Sequence, residues 1–259
     1  FVSCSSNKIK LLKTFNNYNN ENFKSITVYP GDMNKKVNSS SLSNFINMPR
    51  IHQNNKKEIL NILKYYEINY VLPTSDYELL FWSKNKLYFQ KQNITIFISD
   101  NKTIKFCQDK LNFMKFFKKN ELKYIPTSLK KFSNNDNFIV KNRYSYDNKF
   151  YKTKKIKLIK NNTKFIFQKY IYGKEYSLDC WFNEDSELKN SVLRERLKIK
   201  KGLAIKTVKV RKPKNLLKII KLISNTYKFY GAVNFQFIIN DKNIFFLECN
   251  PRVSGRIDA

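Results

Sequence analysis

From Gly231 to Gly255 the chain reads GAVNFQFIINDKNIFFLECNPRVSG. Two apolar runs flank a polar turn, Asn240 to Asn243, and the pattern predicts a β-hairpin. Side chains alternate along a strand, so Asn234 and Gln236 are expected on one face of the first run, and Phe246, Glu248 and Asn250 on one face of the second. Pairing then brings Gln236 close to Glu248 and Asn250, with Arg252 just beyond. Three oxygen-bearing side chains on one patch suit a hard cation such as Mg²⁺, which takes one or two carboxylates plus substrate phosphates. The plain alternative is an ordinary hairpin that ends in a Pro turn.

The composition bounds what else the chain can be. Its 259 residues allow two packed domains, and 42% hydrophobic with 15% aromatic residues supports a real core. A formal net charge of +30 points first to nucleic acid or another anionic partner. The lysines are spread along the chain, and the excess of Asn, Ile, Phe and Tyr with only five glycines is that of an AT-rich coding bias. A solvated basic surface is therefore favoured over a dedicated nucleic-acid groove, and no nucleic-acid partner is expected. Cys4, Cys107, Cys180 and Cys249 show no metal or redox spacing and read as buried, reduced thiols of a cytoplasmic protein. His52 is the sole histidine, which weighs against His-based metal sites and triads. No apolar run is long enough to span a bilayer. The chain opens on Phe1 without Met and stops at Ala259, so a fragment at both ends is expected.

Residues 1–100 alternate strand and helix patterns, which predicts a parallel sheet with helices on its faces. Strands are expected at Phe1–Cys4, Ser25–Tyr29, Asn69–Pro73 and Ile94–Ile98, with a turn at Pro30–Asp32. Helical spacing covers Lys8–Phe15 and Ile59–Tyr66. Asp76 and Glu78 open a further helix at the carboxyl end of a strand, where open α/β sheets bind ligands, and read equally as substrate contacts or as an acidic helix start. The first turn is Ser5-Ser6-Asn7, without glycine, and no nucleotide site is expected there. Downstream come Asp109-Lys110 before an amphipathic helix, and Lys141 at the end of an apolar strand. Then follow Gln168 to Glu175 around Gly173, and Arg194 and Arg196 ahead of Gly202 and Lys206. Leu216–Tyr227 has amphipathic helical spacing.

The Glu248-x-Asn-Pro-Arg252 run after a strand carrying Gln236, with these upstream anchors in order, resembles the ATP-grasp family, in particular its carbamoyl phosphate synthetase large-subunit-like branch. The resemblance implies an α/β fold, α+β in its second part: a parallel-sheet pre-ATP-grasp domain at 1–104, then an ATP-grasp domain at 105–259, expected to be truncated at its C-terminus. Within it, a lid is implied at about 125–170 and a central metal-binding sheet at about 171–259. It implies ATP with Mg²⁺, or Mn²⁺ in its place, and Gln236, Glu248 and Asn250 as metal ligands. Lys110 and Lys141 would reach phosphate. The backbone of Lys169, Tyr170 and Ile171, beside Gln168, would meet adenine, and Glu175 the ribose. Arg194, Arg196, Lys206 and Arg252 would act near the transferred phosphate or the acyl substrate. Relatives carry a Gly-rich flap; here it is Asn142 to Asn148 without glycine, with Arg143, Ser145 and Asn148 as substitute donors. The implied activity is a ligase that activates a carboxylate with MgATP and couples it to an amine, on small-molecule substrates, with a homodimer left open. An ATP-binding module without turnover and a basic nucleic-acid-binding protein stand as alternatives.

Overall fold

The computed structural model describes residues 1–6, 8–16, 26–34, 44–130, 137–145, 150–151, 163–200 and 202–254. Five short parallel segments form the N-terminal sheet. Val2 bridges both Pro30 and Leu72. Strand β1 (Gly31–Asp32) pairs with β2 (Ile46–Asn47), and β3 (Tyr70–Val71) with β4 (Thr95–Ile96). The spatial order is therefore β2, β1, the Val2 segment, β3, β4, and it reverses between the Val2 segment and β3. In open α/β sheets such a reversal leaves a ligand crevice outside the carboxyl ends of the strands. Helices α1 (Ile9–Asn16), α2 (Lys56–Tyr65) and α3 (Leu79–Gln90) connect the strands.

One expected turn is strand. Pairing runs through Pro30 to Asp32, whereas 26–29 carry no assigned strand. The ladder uses the amides of Val2 and Gly31, donated to Tyr29 and Val2, so the N–H that Pro30 lacks is not needed. Glycine is required at position 31 because a Cβ there would lie 2.1 Å from the Phe1 ring.

The C-terminal part holds two antiparallel sheets. The smaller has the order β5 (Thr127–Ser128), β8 (Phe165–Lys169), β6 (Phe138–Asn142), β7 (Phe150–Tyr151). The larger has the order β11 (Leu203–Lys209), β10 (Leu188–Lys200), β9 (Lys174–Phe182), β12 (Gly231–Asn240), β13 (Asn243–Asn250). Residues of α4 (Asn101–Gln108), α5 (Lys110–Lys119) and α6 (Leu216–Thr226) join one face of the large sheet in a single apolar cluster. That face is built from Leu178, Phe182, Leu193, Val233, Phe235, Phe237 and Phe246. A separate apolar cluster runs from Phe1 to Ile104. Helix α4 contributes Phe106 and Cys107 to the large-sheet cluster, and Ile104 to the N-terminal one.

The sequence pattern placed Phe246 beside Glu248, and the structure corrects this. Gln236 pairs with Glu248 but the next residue, Phe237, pairs with Phe246. Leu247 is thus an extra residue in β13, a bulge that resets the alternation. Phe246 turns into the core, 1% exposed, while Glu248 turns to the opposite face with Gln236.

Gly173 joins β8 to β9 at φ 144°, and a Cβ there would sit 2.5 Å from the Ile239 carbonyl oxygen. Both the backbone conformation and the contact demand glycine. Gly173→Ala is expected to destabilise the chain by about 2 kcal/mol, read as a lower midpoint in urea with unchanged slope.

Candidate functional site

The polar face of the large sheet presents two rows across adjacent strands. In one, Arg194, Ser177, Gln236 and Glu248 stand opposite one another; in the next, Asp179, Asn234 and Asn250 do so. Glu175 and Arg196 continue the face along β9 and β10. The groups are linked by hydrogen bonds. Arg194 donates through Nε and Nη2 to Asp179 Oδ2 at 2.9 and 2.5 Å, and Asn234 Nδ2 donates to Asp179 Oδ1 at 2.8 Å. Gln236 Nε2 donates to Asn234 at 3.3 Å and Asn250 Nδ2 to Glu248 Oε1 at 3.2 Å. Arg196 Nη1 serves both Glu175 Oε2, at 2.8 Å, and Gln236 Oε1, at 2.9 Å.

Two buried lysines converge on this face from other elements. Lys110 opens α5 and places its Nζ 3.7 Å from Glu248 Oε2 and 3.3 Å from Ser145 Oγ. Lys141, near the end of β6, donates to Gln168 Oε1 at 2.8 Å, and Gln168 donates in turn to Thr127. Burial pushes the Lys141 ammonium down to about 8, with Lys110 acting in the same direction and Glu248 and Glu175 against it. For Glu248 burial favours the neutral acid, but Lys110, the Asn250 amide, Lys141 and Arg252 outweigh it and hold the carboxyl below its usual range. Glu248 is therefore an anion between two buried cations. One carboxylate does not balance two ammonium groups, and this part of the site carries surplus positive charge.

The base of the flap is stitched to the start of α5. Asp109 caps the helix by accepting from the amides of Leu111 and Asn112. It also takes Arg143 Nε at 2.9 Å and Nη2 at 2.6 Å. The Ser145 amide donates to the Gln108 carbonyl. Arg143 is thereby engaged with Asp109, which corrects its expected role as a flap donor, and Asn148 lies outside the described residues. Glu78 is likewise engaged: its carboxylate accepts from the amides of Thr74 and Ser75 and from Trp82 Nε1. It is the closed helix start, not a substrate contact. Asp76 instead reaches across the sheet boundary, taking Arg252 Nη2 at 2.5 Å.

The structure thus gathers Lys110, Lys141, Gln168, Glu175, Arg196, Gln236, Glu248 and Asn250, with Arg194 and Arg252 on the adjoining side. Lys206 does not join them. It precedes Thr207, the partner of Arg196, on β11, so alternation turns it to the other face, where it is exposed. In the expected adenine segment the Lys169 and Tyr170 amides are used within the fold, donating to Pro126 and Asn137. Among the described residues the Ile171 amide has no backbone acceptor. Asp179 and Asn234 are the groups the sequence reading missed as site residues. Asp179 stands four residues from Glu175 on the same strand, and that spacing was the available signal.

A family model described as ATP-grasp in the biosynthetic pathway with Ter operon matches residues 161–259, and a PylC-like, N-terminal domain model matches residues 1–97. By its C-terminal part, residues 161–259, the chain matches the ATP-grasp family. Its architecture is a PylC-like N-terminal domain followed by an ATP-grasp domain. Among solved structures it is similar to N5-carboxyaminoimidazole synthetase from Staphylococcus aureus complexed with ADP, at 18% identity and a TM-score of 0.72, over 98% of this chain and 70% of that one. L-amino acid ligase from Bacillus licheniformis matches at 13% identity and a TM-score of 0.65, over 89% of this chain and 62% of that one. D-alanine–D-alanine ligase from Bacillus anthracis complexed with ATP matches at 12% identity and a TM-score of 0.54, over 80% and 74%. At these identities the likeness is one of fold. The chain spans from under two thirds to about three quarters of the length of these structures. No curated protein sequence matches it. Among the described residues no helix is long and apolar enough to cross a membrane.

The lowered Lys141 pKa has a consequence for stability. Between about pH 8 and the ordinary 10.5, the unfolded chain holds a proton that the folded chain has lost. Stability from this group therefore rises with pH across that window. Lys141→Met is expected to lose that rise, at most about 3 kcal/mol, checked by urea unfolding at pH 7.5 and 9.5 beside the unaltered chain.

Proposed function

We propose that this chain is the ATP-binding and activating part of an ATP-grasp ligase, which uses MgATP to convert a carboxylate to an acylphosphate and passes it to an amine. The observation that supports this most directly is the burial of Lys110 and Lys141 around a single carboxylate, Glu248. Burying ammonium groups is costly unless they are compensated, and a polyphosphate supplies the missing negative charge. The division at 1–104 and 105–259, within α4, belongs to the same proposal.

The donor set fits a hard cation. Glu248 and Asn250 offer oxygens from one strand, and among the described residues no group of three His, Cys, Asp or Glu side chains offers an all-protein site. That arrangement suits Mg²⁺, which completes its coordination with phosphate and water. Gln236 is divided, because its Oε1 already accepts from Arg196; we assign it first to orienting that arginine. When bound, the ion would neutralise phosphate charge and align the reacting groups.

The remaining roles belong to the chain. Lys141, aimed by Gln168, and Lys110, held beside Ser145, would bind phosphate oxygens. The Ile171 amide would donate to the adenine edge, and Glu175, steadied by Arg196, would accept from ribose. Arg252, beyond the metal patch, would hold the carboxylate to be activated. Phosphoryl transfer needs little covalent chemistry from the protein, being driven mainly by positioning and charge neutralisation, which suits a site without histidine.

Glu248→Gln tests the reading. Isothermal titration with ATP is expected to show tighter binding with Mg²⁺ than without it in the unaltered chain, and to lose that difference in the variant. Phosphate release with Mg²⁺ should fall about 100-fold or more. Equal Mg²⁺ enhancement in both proteins would overturn the metal assignment.

A further inference from the structure

Where α4, α5 and the end of α6 come together, on the helix side of the large sheet, they form a groove of about 670 Å³. Its floor is aromatic. Phe106 of α4 stacks on Tyr227, which follows α6, with 3.6 Å between ring centroids. Phe116 of α5 meets both rings edge-on, at 5.6 and 5.9 Å. Its walls are basic: Lys102 and Lys105 stand on α4, Lys115 and Lys119 on α5, and no Asp or Glu lines it. All four lysines are exposed. Among the described residues none of them forms an ion pair, and Lys102 lies over the Tyr227 ring at 5.9 Å.

Two ordinary explanations for such lysines do not cover the set. The helix dipole favours cations in the last turn, which accounts for Lys105 and Lys119. Lys102 is the second residue of α4, where the same dipole opposes a cation, and Lys115 lies in the middle of α5. Like charges three or four positions apart on a helix also repel, as Lys102 and Lys105 do on α4 and Lys115 and Lys119 on α5. The general excess of lysine in this chain explains how many there are. It does not explain two repelling pairs, one on each helix, beside an apolar floor without a single acid.

We infer that this groove docks an acidic segment of a partner protein, with Asp or Glu side chains against the two lysine pairs and an apolar side chain between them on the aromatic floor. Complementary charge steers and orients such an association, and the lysine stems add apolar contact beneath their charged heads. Single-stranded nucleic acid fits the groove less well. It is held by stacking on open aromatic faces, whereas Phe106 and Phe116 are 5% and 8% exposed and Tyr227 is stacked on Phe106. A second copy of this chain, itself at +30, would set lysines against lysines in a two-fold contact. The helices cover the apolar face of the large sheet, and Glu248 stands on its other face, so the inference does not rest on the ligase reading.

The test pans a displayed library of short peptides, with Asp and Glu flanking a randomised apolar centre, against the full chain, and measures the selected peptide by fluorescence anisotropy. A groove variant carries Lys102→Gln, Lys105→Gln, Lys115→Gln and Lys119→Gln. A control variant carries Lys57→Gln, Lys64→Gln, Lys84→Gln and Lys91→Gln, the same loss of charge at lysines exposed on the N-terminal domain. The groove variant is expected to bind about ten-fold more weakly or worse, and the control nearly as well as the unaltered chain. Replacing the acids of the peptide by their amides, or its apolar centre by serine, should each weaken binding. On the unaltered chain, bound peptide should protect Lys102, Lys105, Lys115 and Lys119 from acetylation, read by mass spectrometry. No enriched peptide, equal loss in the two variants, undiminished binding of either altered peptide, or protection elsewhere overturns the inference. Oligothymidylate that displaces the peptide and needs the same lysines also overturns it, in favour of nucleic acid. A non-hydrolysable MgATP analogue should leave peptide binding unchanged, so the failure of either reading shows apart from the other.

Discussion

The pairing of β12 with β13, carrying one extra residue at Leu247, is the constraint on which the site depends. Before the bulge β13 sends Phe246 into a core shared with Phe113, Phe117, Phe235 and Phe237. After it, Glu248 and Asn250 stand on the opposite face. A buried aromatic side chain contributes about 2–3 kcal/mol of transfer free energy, so Phe246 holds the register firmly. The same register delivers a carboxylate opposite Gln236. Without the extra residue, an unbroken alternation would put Phe246 and Glu248 on one face, and either the core or the site would be lost.

Charge then organises everything on that face. Each arginine of β10 has a carboxylate of β9 as its partner: Arg194 has Asp179, and Arg196 has Glu175. These strands neutralise themselves and form a rigid floor. Lys110 and Lys141 come from outside the sheet, one from a helix start and one from the smaller sheet, and share Glu248 between them. The asymmetry between a balanced floor and an unbalanced pair of lysines concentrates positive charge at one point. The overall charge of +30, spread along the chain, does not by itself mark such a point. What matters chemically is two buried ammonium groups, not the several dozen exposed ones.

The two domains meet through polar contacts as well as packing. Arg252 reaches Asp76, Lys8 reaches Ser254, and the Tyr230 amide donates to Ser99 Oγ. Gly231, at φ 79°, lets the start of β12 pass within close contact of the Phe97 backbone. A side chain there would push β12 away from the N-terminal sheet.

By itself the sequence determined the local pieces: an α/β first part, a hairpin at Gly231–Asn250, apolar stripes on the helices, and lysines at the ends of particular elements. These follow from periodicity, turn residues and spacing, which are properties of short windows. The ordered anchors Lys110, Lys141, Glu175 and Glu248 were singled out by the family resemblance, each being weak alone. Only the tertiary structure decided which of them meet. The bulge at Leu247 leaves no mark in an apolar run of Ile, Phe and Leu, so the facing of Phe246 was misjudged. Pro30 and Gly31 look like a turn, but pairing with the Val2 segment and β2, neighbours only in space, makes them strand. Asp179, Arg143 with Asp109, and Asp76 with Arg252 are partners separated by between 15 and 176 residues. Such pairs are fixed by strand order and domain contact, and no local pattern encodes them.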